Sequence, residues 1–230
     1  MKLVDLSREL FHKCPTHPKH PPFIMTDYNT HKEIRTDGAV PFSAHSMVLS
    51  MGDHTGTHVD AFCHFDARPG ARSIDEMPLE DFYTEAVCLD LSHTPLKTDI
   101  HIPDLEAAER KAGIEIRPRD TVLIHMGVHD RLYGKPEYTS DFPGLTKESA
   151  EWLGHKKITA FGVEAISPGR PGTNNYLVHL VCRDMGFTHY EGLANLHQVV
   201  GKGRFTFIAF PLRIRGGTGS PVRAVAVLNE

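Results

Sequence analysis

Eleven residues, His54-Thr-Gly-Thr-His58-Val-Asp60-Ala-Phe-Cys-His64, place three imidazoles and a carboxylate on one short stretch of chain. Read as extended backbone, His54, Gly56, His58, Asp60 and His64 share one face, because strand side chains alternate. Two imidazoles and a carboxylate facing one way are three ligands for a borderline divalent cation. A straight strand would set positions 54 and 58 about 13 Å apart, so Gly56 is expected to supply a bend or bulge that brings the rings together. The helical alternative fails: an H-x-x-x-H protease helix needs Glu after the first His. Thr55 stands there, and Gly56-Thr57 is poor helix material. Polar strand residues at a surface are the plain reading for any one of these side chains. Three candidate ligands and a fourth His within eleven residues weigh against it.

The rest of the composition narrows the setting. The chain has 230 residues, 40% hydrophobic and 23% charged, enough for one sizeable core and, by expectation, a single domain over 1–230. A net charge of −4 with scattered Lys and Arg excludes a nucleic-acid partner. No apolar run approaches the ~20 residues that cross a bilayer, so no membrane association is expected. The first residues lack the long apolar core of a secretory signal. Cysteines at 14, 63, 88 and 182 form no CxxC pair, which fits free thiols in a cytoplasmic protein. The 16 histidines are the unusual number, since His is both the commonest metal ligand and the usual proton carrier near neutral pH.

The elements that must position these side chains are legible as patterns. Strand-like runs occur at 3–6, 47–51, 86–91, 121–126, 158–163, 204–210 and 222–228. Helices are expected over 103–112, from a Thr146 cap towards 153, and over 174–185, the first and last stopping at Gly113 and Gly186. Strands mixed with a few helices read as α/β or α+β. Proline clusters at 15–22 and 168–171 read as rigid loops. The segment from Pro168 to Thr173 is either a lid or a plain loop.

The eleven-residue stretch resembles the HxGTHxDxPxH signature of the cyclase-type metal-dependent hydrolases, a family that includes kynurenine formamidase and isatin hydrolase. Phe62 stands in place of its proline. Flanking segments resemble the family too: Val4-Asp-Leu-Ser7, Phe161-Gly-Val-Glu164-Ala-Ile-Ser167 with Glu for Asp, Glu191-Gly-Leu-Ala-Asn-Leu, and Gly217-Thr-Gly-Ser-Pro-Val-Arg223 with Thr218 for Asp. The resemblance implies a swivelling β/β/α domain with a central mixed sheet or barrel-like core, in homodimers or homotetramers. It implies metal ligation by His54, His58 and Asp60, completed by His179 and Glu191, with His64 as proton donor and acceptor. One or two ions per subunit, Zn²⁺ or Mn²⁺, are consistent with these donors. The reaction implied is hydrolysis of a C–N bond in a small amide, formamide, cyclic imide or lactam.

Other readings remain at this point. The same metal and His64 would serve a ring-closing or dehydrating enzyme, and a metal-holding protein without turnover is a third reading. An intact His64 speaks against the third, because a purely structural site needs no spare base. Without the resemblance, His179 reads as a core histidine and Glu191 as a helix-start charge. Cys63 should face away from His64, as a strand neighbour does. His125, His129, His155, His189 and His197 receive no assignment. In kynurenine formamidases the N-terminal segment reads P-V-W-P-G-D, with its Trp lining the pocket. Here it reads Pro15-Thr16-His17-Pro18-Lys19-His20. His17 for Trp, with Lys19 and His20, points to a more positive mouth and a smaller or anionic small-molecule substrate.

Overall fold

The apolar runs of the sequence pair side by side in the computed structural model, which describes residues 1–32, 34–37 and 40–229. The chain runs through β1 (Lys2–Asp5), β2 (Ile24–Asn29), β3 (Arg35–Asp37), β4 (Val40–Phe42), β5 (Ser46–Ser50), β6 (His58–Asp60), α1 (Phe62–Phe65) and β7 (Tyr83–Asp90). It continues through β8 (Asp99–Ile100), α2 (Ile102–Ala112), β9 (Thr121–His125), α3 (Val128–Leu132), β10 (Gly144–Leu145), α4 (Lys147–His155) and β11 (Ala160–Val163). It ends with α5 (Asn175–Met185), β12 (Thr188–Glu191), β13 (Phe205–Ile208), β14 (Gly219–Pro221) and β15 (Val225–Leu228).

Nine strands form the central sheet in the order β1-β15-β13-β7-β9-β11-β12-β6-β14. Its middle four, β7, β9, β11 and β12, are parallel, and both wings are antiparallel. The fold is therefore mixed α/β, with the sheet curled into a half-barrel. Parallel strands need crossovers and burial on both faces, and α2, α4 and α5 supply the crossovers. Alternation sorts the side chains: Val87, Leu89, Val122 and Ile124 pack with Leu105, Leu153 and Val178 of the helices. Ala86, Cys88 and Leu123 face the opposite core with Tyr190, Phe205 and Phe207.

The three expected helices are present. Pro103 sits in the first turn of α2, and Gly113 ends it with φ 63°. The Thr146 hydroxyl caps α4 by accepting from the Ser149 N–H at 3.1 Å. Gly186 closes α5 with φ 76°. The 158–163 run begins as a strand two residues later than expected, at Ala160.

The larger departure concerns 54–64, which is not one extended strand. Only His58–Asp60 is strand; His54 lies in a turn and His64 on the short α1. The bend expected at Gly56 is real, with φ 73°, a left-handed conformation that a β-carbon disfavours. A Cβ there would also approach Leu10 Cδ2 at 2.5 Å. Gly56→Ala is accordingly expected to lose about 1–2 kcal/mol from the backbone alone, read as a lower urea midpoint with an unchanged slope. An unaltered midpoint would show that the bend is not strained.

Candidate metal centre and active site

The strand β6 lies between β12 and β14, antiparallel to both. Glu191 pairs with His58 in one register and Gly219 with Asp60 in the other. That pairing joins residues 133 positions apart in sequence. Gly219 is required for it, because a Cβ there would meet His54 Cε1 at 2.7 Å and Val59 O at 2.8 Å.

Asp60, 1% exposed, is the hub. His54 Nδ1 is 2.8 Å from Asp60 Oδ1, and His58 Nε2 is 3.5 Å from the same oxygen. Around Asp60 Oδ2 stand His189 Nε2 at 3.3 Å, His179 Nε2 at 3.6 Å and His64 Nε2 at 3.7 Å. Glu191 lies beside it, Oε2 3.4 Å from His58 Nε2 and Oε1 3.2 Å from His189 Nε2 and 3.9 Å from His179 Nε2. The structure thus brings together every residue expected to ligate metal: His54, His58, Asp60, His179 and Glu191. His64 reaches the same place from α1, one helical turn beyond Asp60, rather than from a shared strand face.

These donors fit a divalent cation. His58 Nδ1 faces the Gly56 carbonyl at 3.1 Å, while its buried Nε2 has no hydrogen-bond partner. His179 Nδ1 donates to the Asn175 carbonyl at 2.7 Å, which leaves Nε2 to face Asp60 and Glu191. His54 Nε2 is 2.9 Å from the Thr218 hydroxyl, which donates to Asp53 at 2.7 Å. Two ligands bonded to one tetrahedral ion at ~2.0–2.1 Å stand roughly 3.3 Å apart. Most of the separations around Asp60 and Glu191 are close to that value. They are too long for good hydrogen bonds. Two donor groups share Asp60: His54 with His58, and His179 with His189 and Glu191.

Charge follows geometry. Burial by itself would raise the Asp60 carboxyl, but His189, His179 and His54 hold it well below the usual carboxylate range. Burial likewise opposes ionisation of Glu191, yet His189 and His58 bring it down to about 2. Burial also disfavours His179 as a cation, but the adjacent Asp60 carboxylate, and then Glu191, raise it to about 9. His64 responds to burial most, and falls to about 4 despite Asp60.

His189 was missed by the sequence reading. It is fully buried and stacks on Phe161 at 5.3 Å between centroids. The available signal was its spacing: His189 and Glu191 are two apart on one strand and share a face. Glu191 itself is a strand residue, not a helix-start charge. Cys63 faces the Gly217 carbonyl at 3.6 Å, outside the pocket, and burial pushes its thiol up. His155 is exposed at the end of α4.

A pocket of about 90 Å³ opens onto the cluster, and His17, His20, Ser167 and Asn175 also line it. Burial lowers both His17 and His20, leaving them uncharged at neutral pH. The positive charge expected there therefore rests on the exposed Lys19. The segment after Ser167 is tied to the body of the fold: the Pro168 carbonyl accepts from Leu145 N–H, and Arg170 pairs with Asp99 at 3.4 Å. None of residues 168–173 lines that pocket.

Residues 4–170 match the family described as putative cyclase. This chain belongs to the putative cyclase family. Within that family, a kynurenine formamidase of Bacillus cereus is 28% identical over 224 residues, covering 96% of this chain and 95% of its own. Isatin hydrolase A of Labrenzia aggregata superposes with a TM-score of 0.84 at 26% identity, covering 100% of this chain and 94% of its own. Isatin hydrolase A of Ralstonia solanacearum gives 0.83 at 28%, with 99% and 92% covered. The matched putative cyclase segment includes His54, His58, Asp60 and His64, whereas His179 and Glu191 lie beyond it and reach the cluster only through α5 and β12.

In the metal-free protein the cluster should set opposing pH limits. His179 is raised above its ordinary value of 6.5, so its stabilisation is complete below that pH and lost as pH rises through about 9. Glu191 and Asp60 are depressed, so theirs is present above the ordinary carboxylate range and lost on acidification, for Glu191 as pH falls towards about 2. Thermal melts of chelator-treated protein should show Tm falling between pH 6.5 and 9, and His179→Gln should flatten that slope. A flat wild-type profile would contradict the assignment.

Proposed function

We propose that this protein is a metal-dependent hydrolase that cleaves a C–N bond in a small amide, formamide, cyclic imide or lactam. The observation that carries this reading is the buried Asp60–Glu191 carboxylate pair ringed by imidazoles at metal-ligand spacing, with His64 at the edge of the same pocket. The kynurenine formamidase and isatin hydrolase relatives support it.

His54, His58 and Asp60 hold a divalent cation in this reading, Zn²⁺ or Mn²⁺, with His179 and Glu191 completing the set. The sharing of Asp60 by two donor groups supports a pair of ions. Such an ion lowers the pKa of a water and polarises a carbonyl. Asp60 and Glu191 stay ionised throughout, and Asn175 fixes His179 so that Nε2 faces inward. His64, neutral at pH 7, takes the proton from the attacking water. Once protonated it is a better proton donor than an ordinary imidazolium, and passes that proton to the leaving nitrogen. Its side chain is 31% exposed, against 5% for His54 and His58, as suits a group that meets substrate rather than one that grips an ion. The buried Asn175 Oδ1, without a partner of its own, is available to a substrate N–H.

Self-association into a homodimer or homotetramer is supported by the β2–β5 ribbon, on which Tyr28, Met47, Val48 and Leu49 are all exposed. Among the described residues no helix is long and apolar enough to cross a membrane. Four unpaired cysteines support a cytoplasmic setting.

Strong chelation should abolish hydrolysis, and Zn²⁺ or Mn²⁺ should restore it; full activity in verified metal-free protein would sink the mechanism. His64→Ala should keep its metal while turnover falls by roughly 10²–10⁴-fold, whereas His58→Ala should lose the ion. If His64→Ala empties the site, its role is that of a ligand. Labelled water should enter the product, which separates hydrolysis from ring closure. The narrow pocket with Lys19 nearby should favour a small cyclic imide or acidic amide over N-formylkynurenine. A kcat/KM for N-formylkynurenine near ~10⁴ M⁻¹s⁻¹ or above would reverse that preference.

A further inference from the structure

A second group of ionisable side chains converges where β9 and β11 end, and shares no residue with the Asp60 cluster. His125 is the last residue of β9, Glu164 directly follows β11, and Asp130 lies on α3. One donor atom from each lies within 4.8 Å of the other two. His197, on the turn at 196–198, brings Nδ1 to 3.1 Å from Asp130 Oδ2.

Two buried groups here lack partners. Glu164 is 0% exposed. Its Oε2 accepts from the Met126 N–H at 2.7 Å and the Val128 N–H at 3.3 Å, but Oε1 accepts no hydrogen bond. His125 is 6% exposed and neither ring nitrogen is hydrogen-bonded. Its Nδ1 stands 3.4 Å from Asp90 Oδ1 and its Nε2 3.8 Å from Asp130 Oδ2. Asp90 is already engaged by Lys111 and Ser92, and His125 Nε2 faces Asp130. Buried polar atoms left unpaired are costly, and each one needs an explanation.

We propose that His125, Asp130 and Glu164, with His197 beside them, form a second divalent-cation site. Imidazole nitrogen with carboxylate oxygen suits Zn²⁺ or Mn²⁺. The side chains of Asp130 and His197 are 41% and 48% exposed, which gives an ion a route from solvent. Arg131 does not compete, because its guanidinium is tied to the Met126 and Gly127 carbonyls. Burial, and then the like charge of Asp130, push the Glu164 carboxyl up to about 8; a bound cation reverses that balance. The site would clamp β9, β11, α3 and the 196–198 turn together, and does not depend on the hydrolase reading.

Elemental analysis after equilibrium dialysis against Zn²⁺ or Mn²⁺ tests this directly. Asp130→Asn and Glu164→Gln should each bind one ion per chain fewer than wild type, and His58→Ala should retain the ion that these variants lose. Asp130 is half exposed, so Asp130→Asn tests the site without disturbing the core, and circular dichroism verifies its fold. The cation-induced rise in Tm should also shrink in Asp130→Asn. Equal ion content in wild type, Asp130→Asn and Glu164→Gln would overturn the proposal.

Discussion

Two carboxylates buried side by side are the constraint on which this structure turns. Asp60 and Glu191 are almost inaccessible to water, and an ionised carboxylate in such a place is strongly destabilising unless compensated. Compensation comes from His54, His58, His179 and His189, all within 4 Å of one carboxylate or the other. Because imidazoles are cations only when protonated, the same cluster can exchange protons for a metal ion. That exchange links stability, metal affinity and pH in one set of side chains.

Meeting this constraint dictates much of the local backbone. A three-residue strand carries His58 and Asp60, too short to be stable alone, and holds its place through β12 and β14 on either side. The turn before it brings the His54 ring within 5.1 Å of His58, edge to face. Thr218 and Asp53 then fix that ring from behind. The Asp53 carboxylate thus stands behind His54, reached through the Thr218 hydroxyl.

The parallel centre of the sheet does a different job. Its strands end at His125 and just before Glu164, and the loops beyond them carry the second ionisable cluster. Carboxyl ends of parallel strands are where side chains from several loops converge. The fold therefore offers two such convergences, one at each side of β11.

The sequence by itself determined which residue types were available and the chemistry they could do. His54, His58, Asp60 and His64 were legible because four polar groups at short spacing are hard to explain as surface decoration. The long apolar runs of β7 and β9, and the caps of α2, α4 and α5, were legible because period, Gly and Thr act locally. Tertiary structure alone decided how these residues meet. His64 arrives on a helical turn rather than on a strand face, since the chain leaves the sheet right after Asp60. Glu191 and His189 belong with His58 because β12 pairs with β6 across 133 residues of sequence, and no local pattern encodes that pairing. His179 reaches them because α5 crosses back over the sheet, and the charge at the pocket mouth depends on how deeply His17 and His20 are buried. Register and burial are properties of the packed sheet, so they could not be read from a single stretch of chain.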